Sequence, residues 1–216
     1  DHFGGITVST LAEAIFFAEG GFQDITFAMP LAPGRVAKAC DVAEQVETFH
    51  LLVDHHSAVE ALSAEAHRRK LSLSVLIKVD CGYHRAGMLP DDPKLIALAN
   101  RIHQDTNLNF QGLLTHGGHS YDCDGLVEMR QVAEQERSMI VSAAERLREV
   151  GLPVDTVSVG STPTMMAVED LTGVTEMRPG NYALFDQVQA DIGSCSMEDI
   201  AISVVAEVIG VYPERN

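Results

Sequence analysis

The sequence is short of positive charge. Its 216 residues hold 15 Lys and Arg against 31 Asp and Glu, a formal net charge of −16. A deficit of that size argues against a nucleic-acid footprint or an anionic membrane surface as partner. The acids are scattered through helix-period stretches, not gathered in a tail, which reads as a soluble, self-repelling surface. Cysteine is sparse too. Cys40, Cys81, Cys123 and Cys195 contain no CxxC pair, so they make no disulfide framework and suit a reducing cytoplasm. No apolar run approaches the ~18 residues of a membrane span. No GxGxxG follows an apolar run, and neither GxxxxGKS nor GxxxxGKT occurs, which removes the usual support for dinucleotide and phosphate-loop readings. The opening Asp1-His2-Phe3-Gly4-Gly5 carries no Met, no charged leader and no signal-peptide core, and reads as a start in the middle of a longer chain.

What is present is alternation. With 46% hydrophobic residues the chain can build a core. Short apolar runs, expected as strands, lie at 6–9, 24–29, 48–53, 72–79, 109–114, 154–159 and 174–177. Helix-period stretches separate most of them: one after an N-cap at Thr10 and stopping at Gly20-Gly21, then about 33–47, 57–70, 92–104 and 125–150. On the longest, Met129, Val132, Ile140, Ala143, Leu147 and Val150 give one apolar face. Apolar strands alternating with helices mean a parallel sheet covered by helices. Seven strands with an abrupt start favour an α/β TIM (β/α)8 barrel lacking its first strand over an open doubly wound sheet. Residues 1–190 are expected to form this barrel. The β-branched run from Ile200 to Val211 has no helix after it and reads as the first strand of a C-terminal β domain, over residues 191–216.

In such a barrel the chemistry collects in the loops after the strands. Four polar clusters fall there. Asp80-Cys81-Gly82-Tyr83-His84-Arg85-Ala86-Gly87 can aim the Arg85 guanidinium inward at an oxygen or phosphate, although an Asp80–Arg85 ion pair would also fit. Thr115-His116-Gly117-Gly118-His119-Ser120-Tyr121 suggests a planar ligand packed by His116, with Tyr121 as a hydrogen-bond or proton-transfer group. A metal site or a purely structural loop are its alternatives; His116 and His119, three apart around Gly-Gly, would not share a helical face. Gly160-Ser161-Thr162-Pro163 offers hydroxyls and free N–H groups, either as an anion seat or as an ordinary helix cap. Arg178-Pro179-Gly180-Asn181-Tyr182 adds a cation and further donors. The last two clusters are neighbours in a barrel and together read as a phosphate clamp.

In this order, Asp80-x-Gly82-x-x-Arg85-x-Gly87, Thr115-His116, Gly160-Ser161-Thr162-Pro163 and Arg178-Pro179-Gly180 resemble the alanine racemase N-terminal domain group of pyridoxal-phosphate enzymes. Within it, the sequences 115–121, 158–163 and 179–182 are most similar to the D-serine dehydratase and D-threonine aldolase branch. The resemblance implies pyridoxal 5'-phosphate as cofactor. Arg85 would approach its phenolic oxygen, His116 would pack on the ring, and Tyr121 would lie on the reaction side. Gly160, Ser161, Thr162, Gly180, Asn181 and Tyr182 would hold the phosphate, and Arg178 would point to the ring nitrogen or the phosphate. The Schiff-base lysine of the family belongs to the first barrel strand, so it is expected upstream of Asp1. Lys38, Lys70 and Lys94 fall on helices. Lys78, two residues before Asp80, could point into the barrel but does not match the cofactor lysine's motif position. A divalent metal, Zn or Mn, would be bound by the C-terminal domain.

The resemblance further implies a cytoplasmic homodimer acting on a small amino-acid substrate. The expected reaction is D-serine dehydratase-like β-elimination to a 2-oxo acid and ammonia. A D-threonine aldolase-like cleavage, an amino-acid racemase, a non-enzymatic pyridoxal-phosphate protein and a sugar-phosphate barrel are the alternatives.

Overall fold

The computed structural model describes residues 5–214; the reading of the opening residues Asp1 to Gly4 lies outside them. Seven strands pair parallel in strict sequence order. They are β1 Gly5–Val8, β2 Asp24–Pro30, β3 Thr48–Val53, β4 Leu73–Lys78, β5 Leu108–Leu114, β6 Thr156–Val159 and β7 Glu176–Met177. Between them run α1 Leu11–Glu19, α2 Val36–Ala43, α3 His56–Arg69, α4 Pro93–His103, α5 Leu126–Glu149 and α6 Thr162–Ala167, with α7 Gln187–Asp191 after β7. This is the winding of the expected barrel, curled and helix-covered.

Local chemistry sets the helix ends. Thr10 caps α1 in a capping box: Glu13 N–H donates to its hydroxyl, and the Glu13 carboxylate accepts from Thr10 N–H at 2.9 Å. Asp92 caps α4 through Lys94 N–H. The stretch from Pro33 is shorter than the sequence suggests: a 3-10 turn at Pro33–Arg35 precedes α2, which ends at Ala43. Arg69 ties α3 to α2 through Asp41 at 2.7 Å, and Arg101 ties α4 to α3 through Glu60 at 2.8 Å.

Two buried clusters follow from the period-two alternation of strand side chains. Leu51, Val53, Val75, Ile77 and Leu113 join the main core between sheet and helices. Leu52, Leu76 and Leu114 form a separate cluster on the opposite, inner face, with Ala28 packed against them. Lys78 follows Leu76 by two residues and Ser158 pairs with Leu114, so both fall on that inner face, at its carboxyl end. In β5, Phe110 and Leu113 are three apart yet both enter the main core. A bulge at this point, where Val75 pairs with Phe110 but Leu76 with Gly112, resets the alternation. Gly112 holds a φ of +142°, and a Cβ there would collide with the Thr156 carbonyl of β6.

The run from Ile200 to Val211 is not a strand. It has no regular secondary structure, and Val205 and Ile209 are 98% exposed. β-branched composition favours a strand only where a neighbour pairs its backbone, and no described strand does so.

Gly112→Ala should destabilise the protein by about 2 kcal/mol or more, since it adds both overlap and an unfavourable φ. Urea unfolding checks this; wild-type stability in the variant would refute the bulge account.

Candidate active site at the carboxyl ends of the strands

In-register pairing brings the loops after β3 to β7 to one edge of the sheet. The β4 loop folds back on itself: Asp80 N–H donates to Met88 O and Met88 N–H to Lys78 O, both at 2.9 Å. The buried Asp80 carboxylate organises the turn, accepting from Gly82 N–H at 2.9 Å, His84 N–H at 3.0 Å and His84 Nδ1 at 2.9 Å. Burial pushes this carboxyl up, but the hydrogen bonds from His84 and Gly82 outweigh it and hold it below its ordinary value. Asp80 therefore takes His84, not the Arg85 that loop spacing also allowed. Gly87 donates to Asp54 at 3.2 Å; a Cβ there would lie 2.8 Å from Asp80 N, at a φ of +109°. Arg85 is left free of Asp80. Its guanidinium lies 5.1 Å from the Tyr83 ring centroid and lines a small cavity with Lys78, Asp80, Cys81 and His116.

The β5 loop fixes His116. Thr115, fully buried, donates its hydroxyl to Val79 O at 2.9 Å. The His116 ring meets the Gly160 carbonyl with Nδ1 at 2.6 Å. A carbonyl only accepts, so the proton is on Nδ1. Burial lowers the His116 pKa to about 4; the Gly160 bond opposes this, and the charges of Lys78, Arg178 and Arg85 reinforce it. His116 is thus neutral at pH 7 and presents a flat ring to the site. His119 turns elsewhere and stacks on Tyr83, centroids 5.9 Å apart and planes 24° apart. The two imidazoles are engaged separately, and no group of three or more His, Cys, Asp or Glu is placed to hold a metal among the described residues. Tyr121 is half-buried, which raises its pKa, and its hydroxyl lies beside Thr162 and Gln189.

The last two loops meet at Thr162. Its hydroxyl oxygen accepts Gly180 N–H at 3.1 Å and Asn181 N–H at 2.9 Å, which leaves its own proton to donate. A Cβ on Gly180 would meet nothing within 4 Å, so the space beside this junction is open. Ser161 behaves differently. It is the α6 N-cap, buried, with its hydroxyl bonded to Thr164 and Ser120 at 2.9 Å each, so its side chain serves the fold here. Tyr182 is exposed. Gly160, with a φ of +148°, allows β6 and β7 to approach; a Cβ would sit 2.7 Å from Arg178 N.

Arg178 is buried at the end of β7. Nε donates to Ser158 Oγ at 2.7 Å, Nη2 donates to the Thr115 carbonyl, and Glu176 lies 3.8 Å away. Burial lowers its pKa, with Glu136 and Glu176 pulling the other way. Lys78 and Arg85 line one cavity with His116. Arg178, bonded to the Thr115 carbonyl next to His116, lies close enough to act on both Lys78 and His116, a local concentration of cations in a chain that has few. The residues fit a flat phosphorylated ligand: a neutral fixed ring in His116, cations on the inner side, and donors around Thr162. Sequence reasoning missed Glu136, Thr164 and Ser120, which hold these loops from behind, and gave Lys78 no role.

Burial lowers the Lys78 pKa from its ordinary 10.5 to about 7, with Arg178 and Arg85 adding to it and Cys81 and Glu136 opposing. Below pH 7 both folded and unfolded states hold the proton, and the folded state carries the whole burden of a buried charge. Between about pH 7 and 10 only the unfolded state keeps it, so stability gains as pH rises. Lys78→Met should therefore stabilise the protein by a few kcal/mol at pH 6, with the advantage shrinking toward pH 10. Urea unfolding of both proteins at the two pH values checks this; a difference independent of pH would contradict it.

Residues 2–187 match the family described as "Alanine racemase, N-terminal domain". The chain is 44% identical over 212 residues to the D-threo-3-hydroxyaspartate dehydratase of Delftia sp. (strain HT23), covering 98% of this chain and 56% of that protein. It is 36% identical over 226 residues to the D-serine dehydratase of Dictyostelium discoideum, with the same coverage. A solved alanine racemase-like protein from Idiomarina loihiensis superposes with a TM-score of 0.89 at 36% identity, covering 97% of this chain and 55% of that one. The chain thus spans about half the length of the curated relatives it matches. Seven parallel strands wound in order, the loop motifs at their carboxyl ends and these likenesses agree: the chain belongs to the alanine racemase N-terminal domain family.

Proposed function

We propose that this chain forms the pyridoxal 5'-phosphate-binding part of a lyase acting on D-configured β-hydroxy amino acids, as a dehydratase. The observation that carries the reading is the convergence of Lys78, Arg85 and Arg178 with the neutral His116 ring at the strand ends. Its support from likeness is that the relatives at 44% and 36% identity are both named dehydratases of D-hydroxy amino acids.

Pyridoxal 5'-phosphate, when bound, supplies an electron sink that acidifies the α-carbon of an amino acid. The chain's own residues bind and orient. Arg85 would meet the phenolic oxygen. The His116 ring, its Nδ1 proton held by Gly160, would cover one face without exchanging protons at neutral pH. Thr162, Gly180 and Asn181 would take the phosphate, and Tyr121, expected on the reaction side, would join them because its hydroxyl lies beside Thr162. Arg178 can only donate, so any ring nitrogen facing it must be the acceptor, in its unprotonated state. The cations of the mouth would also draw the substrate carboxylate. The divalent metal implied by the resemblance has no ligand set among the described residues, and none of these roles involves it. The proposal includes a homodimer in the cytoplasm, checked by light scattering and fractionation.

The reaction is tested by supplying the full-length protein that carries this sequence with D-serine, D-threo-3-hydroxyaspartate and D-threonine. A dehydratase gives a 2-oxo acid and ammonia in equal amounts. Glycine from D-threonine would instead make the protein an aldolase, and no product from any of the three would refute both. Arg178→Ala should weaken pyridoxal 5'-phosphate retention about tenfold or more, read by equilibrium dialysis; unchanged retention would remove Arg178 from the site.

A further inference from the structure

The β5 and β6 loops meet on one buried carboxylate that the proposed function does not use. Glu136 lies in the buried stripe of α5, in step with Met129, Ala133, Ile140, Ala143 and Leu147, and is itself fully buried. Its Oε1 accepts Gly117 N–H at 2.6 Å and Gly160 N–H at 3.1 Å. Its Oε2 accepts the Thr164 hydroxyl at 2.9 Å. These partners bracket the His116 ring. Gly117 is the ring's chain neighbour, and Gly160 supplies the carbonyl that takes its Nδ1 proton. One oxygen thus fixes both the backbone that carries the imidazole and the peptide that orients it. The approach is close: a Cβ on Gly117 would lie 3.2 Å from the carboxyl group of Glu136.

We propose that Glu136 is a positioning residue, whose carboxylate sets the orientation and tautomer of His116 and the spacing of the β5 and β6 loops. The same group directs a row of hydroxyls. A carboxylate only accepts, so the Thr164 proton points to Oε2. Thr164 Oγ1 then accepts from Ser161, and Ser161 from Ser120, each at 2.9 Å. All members of this row are at most 2% exposed, so water does not compete for the protons. Packing alone does not account for a charge at this place. A buried ionic group is often replaced by an apolar side chain of similar volume with no loss of stability, and the α5 stripe asks for an apolar residue.

The effect of Glu136 on the ligand rests on the proposed function; its effect on His116 does not. The test compares wild type, Glu136→Met and Glu136→Gln in the protein that carries this sequence, with two readouts. Nitrogen-15 spectra of labelled histidine at pH 7 report the His116 tautomer, and dialysis reports the affinity for pyridoxine 5'-phosphate, which needs no lysine to bind. Met suits the stripe and leaves both amides unsatisfied. It should retain the fold, lose the single Nδ1–H signature, and bind the phosphate ester about tenfold more weakly. Gln keeps one oxygen for both amides, so it should restore the signature and most of the affinity. A folded Glu136→Met with the wild-type signature and affinity would overturn the proposal. If Glu136→Met does not fold, Glu136→Gln is read alone: a wild-type signature supports the proposal, and a folded variant without it overturns it. Failure of wild type to bind pyridoxine 5'-phosphate would count against the proposed function only, since the tautomer still reports on Glu136.

Discussion

Parallel pairing in sequence order is the constraint from which the site follows. Each strand pairs only with its sequence neighbours, so every carboxyl end faces one edge, and every second side chain faces the inside. The inner face changes character over two residues. Leu52, Leu76 and Leu114 close its floor, while Lys78 and Ser158 already belong to the polar mouth above. That shallow transition is why Lys78 is buried enough to drop to about 7 although it stands beside open loops. The bulge at Gly112 is a local exception that serves the same end, bringing Leu113 to the helices and Leu114 to the floor.

Charge is distributed against the average. The chain carries −16, yet Lys78, Arg85 and Arg178 lie close enough together for both arginines to act on Lys78. Burial does most to lower the Lys78 and His116 values, and the neighbouring cations add to it. At physiological ionic strength, surface acids more than about 8 Å away are largely screened, so an anion entering the mouth responds to these cations and not to the outer surface. The fold supplies an opposing charge from behind in Glu136, which acts on Lys78 and Arg178 while bonding the loops that carry His116 and Thr162.

The sequence disclosed the strands well because their signals are local. Leu73–Lys78 is a dense aliphatic run, and Thr10 with Glu13 spells a capping box. Motif order disclosed His116, Arg85, Arg178, Thr162, Gly180 and Asn181 as residues of one edge. What stayed hidden depends on partners distant in sequence. Ser161 offers a hydroxyl whose direction is set partly by Ser120, 41 residues away in the chain. Ile200 to Val211 has strand composition, yet pairing is a property of two segments, and one segment cannot reveal it. Val150 looked like part of the α5 face but is the exposed helix end. Glu136 did leave a trace: an acid in step with Met129, Ala133 and Ile140 interrupts an apolar stripe, and such an interruption calls for buried donors on the facing loops.

The account stands on the mouth being a seat for pyridoxal 5'-phosphate, and the absorption spectrum of the protein supplied with that compound tests it most directly. For the full-length protein that carries this sequence, with the Schiff-base lysine expected upstream of Asp1, the outcome predicted is a band near the visible edge that survives dialysis and disappears on treatment with borohydride. If that protein stays colourless, or loses all colour on dialysis, the mouth is not such a seat.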